Sequence, residues 1–160
     1  MPPPSPPGTF TSTASLRAAV QAFDDDATAA IETWGPIADW DVSSITDMRG
    51  LFAGKTDFNA DISSWNTAGV TTMAGMFSGA SAFNQPLSFD TSGVTNMYDM
   101  FYQASAFNQL LTFDTSSVTT MNGMFNYAPA FNQPLSFDTS SVTNMQLMFE
   151  YASAFNQSLS

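Results

Sequence analysis

The side chains capable of chemistry in this chain come in columns. Asp90, Asp114 and Asp138 recur every 24 residues, each opening an Asp-Thr-Ser triplet, with Asp41 and Asn66 ahead of them in the same register. Carboxylates spaced so regularly, with no cation among them, do one of two things. Each accepts backbone N–H bonds in its own Asx turn, or neighbours share divalent cations such as calcium. No Gly-rich or helix-loop-helix calcium loop accompanies them. Asp90, Asp114 and Asp138 are therefore weak metal candidates beside the turn reading, with calcium as the ion to consider, and no cofactor is expected.

Tyr102, Tyr127 and Tyr151 follow a recurrent Met-Phe pair, where the chain should turn outward. A row of exposed phenols there suits stacking on sugar rings, and partial burial at the edge of the array is the other reading. Asn59, Asn84, Asn108, Asn132 and Asn156 stand behind Phe in every copy. Such a column reads as a structural ladder of amides that satisfies backbone groups where the chain bends. Asn156-Gln157-Ser158 matches a glycosylation sequon, but a laddered amide is inaccessible and the match reads as chance.

Catalysis finds no constellation. The chain has no His and no Cys, so no nucleophile–base pair, disulfide or thiolate metal site can form. Its acids are single members of columns, and the deviations Asp61, Asp99 and Glu150 look scattered. Dense Ser and Thr raise water-ordering surfaces, ice or mineral, but the hydroxyl columns are mixed with Ala and Gly.

Charge narrows the partners further. The net charge is −11, and Arg17, Arg49 and Lys55 are the only cations, against seven acids beyond Lys55. Nucleic acid needs a basic face to displace phosphate counterions, and anionic membrane surfaces need one too. No apolar run approaches the ~20 residues of a membrane span. Met1–Gly8 is Pro-rich and lacks the basic end and apolar stretch of a signal peptide.

The elements that must position these columns follow from the period. Phe83, Phe107, Phe131 and Phe155 are 24 residues apart, and Phe58 precedes Phe83 by 25 because of one extra serine in Ser63-Ser64. Spacing of about 20–29 residues marks stacked repeats in which each unit meets only its neighbours. Val118, Met121, Met124, Phe125, Ala128 and Phe131 fall three or four apart, which predicts a helical or irregular side; Leu135-Ser136-Phe137 alternates, which predicts a short strand. The methionine columns beside phenylalanine read as core filling rather than a soft binding face. Residues 1–9 read as a Pro-rich linker or tail. In 10–35, Leu16, Ala19, Val20 and Phe23 share one helical face, with Thr13 or Ser15 as cap, and Asp24-Asp25-Asp26 starts a second helix stopped by Gly35-Pro36. The expected fold is a repeat solenoid over 36–160: about five leucine-rich-repeat-like coils, each with a short parallel strand and a helical or irregular side. An N-terminal helical cap precedes it, and no C-terminal cap is evident.

The unit running from Asp138-Thr139-Ser140-Ser141-Val142-Thr143-Asn144-Met145 through Met148-Phe149 and Ala154-Phe155-Asn156-Gln157 resembles the BspA-like surface-protein repeat, a divergent leucine-rich-repeat family. The stretch from Leu16 to Ile37 looks like the lead-in of algal arrays of this kind. The chain departs from common members in carrying Ala80, Ala104, Ala128 and Ala152 where they have Cys. The resemblance implies a non-catalytic extracellular or cell-surface module for adhesion, binding a protein or a glycan. Its alternatives are a self-assembling scaffold, associating through an open C-terminal coil, and a calcium-dependent or ice-binding surface protein.

Overall fold

The computed structural model describes residues 8–158; of the Pro-rich stretch only Gly8 and Thr9 fall among them, and Leu159 of the leucine column does not. Helix α1 spans Thr13–Asp25 and is capped by Ser12, whose Oγ accepts from the Ser15 N–H at 3.2 Å, so the cap lies just ahead of the expected Thr13 or Ser15. Asp26 closes α1 and opens α2 (Ala27–Trp34), accepting from the N–H groups of Thr28 and Ala29. Gly35, with φ 79°, ends α2 in a conformation that a Cβ would disfavour. Leu16, Ala19 and Val20 bury one face of α1 against the first repeat. On that side Thr13 Oγ1 donates to the Asp47 carbonyl at 2.9 Å, and the Arg17 guanidinium donates to the Arg49 carbonyl.

The leucine-rich-repeat-like solenoid with a parallel strand in each coil is not what the chain builds. Among the described residues there are two α-helices and one short 3₁₀ turn, all before residue 40, and no strand or sheet. Repeats meet instead through isolated parallel bridges, Asp47 to Thr72, Thr72 to Asn96, Asn96 to Thr120 and Thr120 to Asn144.

Two physical reasons account for the difference. The apolar spacing of three comes from consecutive i→i+3 turns and not from a helix: the N–H of Met76 donates to Met73, Ala80 to Phe77 and Phe83 to Ala80, at 3.0–3.1 Å. In a strand, successive peptides point to opposite neighbours. Here the N–H groups of Met73, Gly75, Phe77 and Gly79 all reach the following repeat, donating to Asn96, Tyr98, Met100 and Tyr102 at 2.7–3.0 Å. The peptides in between close the turns. Aligning alternate peptides this way takes left-handed backbone, present at Gly75 (φ 62°) and Gly79 (φ 72°), which no strand contains. The Leu87-Ser88-Phe89 alternation survives only as burial, with Leu87 and Phe89 inside and Ser88 exposed. The extra serine of the first repeat sits in a surface turn, where Trp65 N–H donates to Ile62.

The core is a double file of phenyl rings. Within a repeat, Phe52–Phe58, Phe77–Phe83, Phe101–Phe107, Phe125–Phe131 and Phe149–Phe155 lie 3.9–4.1 Å apart and nearly parallel. Between repeats, Phe52, Phe77, Phe101, Phe125 and Phe149 follow at 5.4–5.7 Å. Each ring buried on both sides is worth roughly 1.5–3 kcal/mol. The buried methionines Met73, Met76, Met97, Met100, Met121 and Met124 fill the space beside them.

Candidate functional site

Every repeat uses left-handed backbone at two positions, and the residues filling them change along the chain. The first column runs Gly50, Gly75, Asp99, Gly123, Leu147; the second runs Gly54, Gly79, Gln103, Tyr127, Tyr151, with φ between 51° and 72° throughout. The first two repeats use glycine at both. The third, fourth and fifth place Asp99, Gln103, Tyr127, Leu147 and Tyr151 there, which are all the left-handed non-glycine residues described.

Those residues gather on one edge. Tyr127 and Tyr151 stack at 4.4 Å, and Tyr102 meets Tyr127 edge-on at 6.0 Å. Tyr98, Tyr127 and Tyr151 are exposed and Tyr102 is half-buried. The Gln103 Nε2 donates to the Tyr102 hydroxyl at 3.2 Å. Of the three tyrosines singled out from sequence, Tyr127 and Tyr151 share a column and Tyr102 stands one position earlier, aligned with Asn126 and Glu150. Tyr98 escaped notice because no other repeat carries an aromatic at its position.

Acids border the ridge. Partial burial pushes the Asp99 carboxyl up from its ordinary range, and the Asp99 carboxylate beside it raises the Tyr98 phenol. Burial against its neighbours raises the Tyr127 phenol, with Tyr151 and the Glu150 charge adding to it. Asp99 and Glu150, scattered in sequence, are thus on the same face. Asp61 is not, its carboxylate accepting from the Ser63 N–H. The Asp99 side chain lies over Gly123, where a Cβ would collide with its Oδ1. Asn126, also beside Gly123, holds the one buried side-chain polar atom among the described residues without a hydrogen-bond partner, its Oδ1.

Asp41, Asp90 and Asp114 each accept from the N–H and hydroxyl of the serine two residues on, at 2.6–3.0 Å. Asp138 accepts from the Ser140 N–H. These bonds, the serine hydroxyl first, hold all four carboxyls below the usual range. Among the described residues no three His, Cys, Asp or Glu side chains gather where they could hold a metal ion. Asn59, Asn84, Asn108 and Asn132 each accept, through Oδ1, the N–H of the next asparagine at 2.9 Å. The exposed Thr71, Thr95, Thr119 and Thr143 donate their hydroxyls to the preceding repeat at 3.1–3.3 Å. A cavity of about 370 Å³ lined by Leu110, Leu111, Thr112, Phe113, Pro134 and Ser136 contains no ionisable group. No helix among the described residues is long and apolar enough to cross a membrane.

Neither curated proteins nor solved structures give a match to this chain. One family model does match, over residues 14–112 and again over 88–160, so the repeats and the helices ahead of them are both covered. The chain belongs to the family described as Mycoplasma protein of unknown function, DUF285.

Proposed function

We propose that this chain is a non-catalytic recognition module of an extracellular or cell-surface protein, holding a protein or glycan on the tyrosine ridge of its third to fifth repeats. One observation carries the reading. Left-handed backbone costs a non-glycine residue roughly 1–2 kcal/mol, and the first two repeats avoid that cost with glycine. Gln103 and Tyr127 accept it although both side chains remain exposed, Tyr127 by 43%. Strain kept for the sake of exposed side chains concentrates at functional surfaces. The resemblance to BspA-like surface repeats supports the location.

The test replaces the strained tyrosines by the residue the backbone prefers. Tyr127→Gly with Tyr151→Gly should leave the melting temperature unchanged or raised, while binding on glycan and peptide arrays falls to background. Equal array binding by the two proteins, or none by the wild type, overturns the reading.

A further inference from the structure

We infer that the ridge takes a cationic protein segment, a stretch of chain bearing Lys or Arg side chains, in preference to a neutral sugar. The inference rests on the recognition role proposed above. Residues 56–160 contain no Lys, Arg or His, so nothing on this part of the protein competes for the ridge's acids. Asp99, next to Tyr98 in the chain, lies over Gly123, and Glu150, next to Tyr151, takes the Tyr127 N–H on its carbonyl at 2.9 Å, so an acid stands at two levels of the stack. The groups the ridge exposes can accept hydrogen bonds, two carboxylates and the phenol oxygens. Lysine and arginine are the permanently charged side chains that only donate, with three and five N–H groups respectively.

Ring geometry points the same way. A sugar stacks on a whole aromatic face, but Tyr127 turns one face to Tyr151 at 4.4 Å and packs edge-to-face with Tyr102. Tyr127 at the centre of the ridge therefore offers edges and a hydroxyl and not a flat platform. Tyr98, 45% exposed and in no aromatic pair among the described residues, keeps a face free for an ammonium or guanidinium.

The experiment uses the 160-residue protein with hexalysine and hexa-arginine peptides, and a neutral chito-oligosaccharide, at low and high salt. The peptides should bind and weaken with salt, and the sugar should not bind. Removing the ridge acids, Asp99→Asn with Glu150→Gln, should weaken peptide binding about tenfold or more, on the scale measured for close charge pairs. Asp41→Asn with Asp61→Asn makes the same change in net charge away from the ridge and should alter affinity less than about twofold, as a screened long-range effect. Equal losses in the two variants mean general attraction to an acidic protein and overturn the inference. So does absence of peptide binding. Sugar binding that Tyr127→Gly with Tyr151→Gly abolishes overturns the cationic partner but keeps the ridge as a recognition face. Peptide binding that the glycine pair leaves intact overturns the ridge itself.

Discussion

At the scale of single residues, the informative positions are those where the repeat is broken. Gly123 sits between two strained neighbours in its column and must be glycine twice over: its φ is 65°, and the Asp99 carboxylate occupies the space a Cβ would take. Gly123→Ala should therefore cost more than the roughly 1 kcal/mol of the backbone alone. Asp99→Gly empties the space over Gly123 and relaxes a left-handed aspartate, so it should be neutral or stabilising. In the Asp99→Gly background the Gly123→Ala penalty should shrink, a coupling that urea melts of the four proteins would measure. An unchanged penalty would show that the two side chains do not share that space. The columns themselves were legible in the sequence because identical spacing repeats. The left-handed positions were not, because Asp, Gln, Leu and Tyr carry no mark of that conformation.

Among the elements, α1 matters beyond its own stability. Each repeat receives N–H donors from the one before it, as Thr72 and Ala74 carbonyls do from Met48 and Gly50. The first repeat has no such predecessor, and the Thr13 hydroxyl and the Arg17 guanidinium supply donors to Asp47 and Arg49 instead. Leu16, fully buried, anchors the helix that carries them. Leu16→Ala should cost roughly 2–5 kcal/mol, the range for deleting a buried leucine. In a chain whose units touch only neighbours, that loss stays local. Hydrogen exchange should show protection lost around Met48 and Phe52 and retained around Phe101 and Phe125. Uniform loss along the chain would mean that the repeats unfold as one unit.

For the whole molecule, the dominant facts are an axis and a charge. Between repeats, peptides such as those joining Thr72 to Met73 and Ala74 to Gly75 point the same way, so their dipoles add as in a helix. All three cations lie at the carbonyl end, Arg17 on α1 and Arg49 and Lys55 on the first repeat, with Lys55 paired to Asp24 at 3.1 Å. The acids also govern the response to pH. Folding lowers the carboxyls of Asp41, Asp61, Asp90, Asp114 and Asp138, so their contribution is complete above the unfolded value near 4 and is lost as pH falls through the folded ones. Asp99, raised on folding, works in the opposite sense and favours the native state as it protonates. Five lowered groups outweigh one, and the melting temperature should fall below about pH 4. Replacing Ser92, Ser116 and Ser140 by Ala removes the leading cause at three positions and should make that fall shallower. An acid limb of the same steepness in the triple variant would locate the titration elsewhere.

The 24-residue period, the columns that become phenyl and asparagine stacks, the two helices and the lack of cations beyond Lys55 were all open to view along the chain. These depend on residue type and spacing, which a chain displays openly. How the repeats join came to light in the folded molecule. Spacings of three are common to a helix and to a run of turns, and the hydrogen-bond partner that separates them lies 24 residues away. The same long-range pairing fixed which exposed side chains share an edge, because the approach of Asp99 to Gly123 and the stacking of Tyr127 on Tyr151 are properties of packed repeats and not of any one of them.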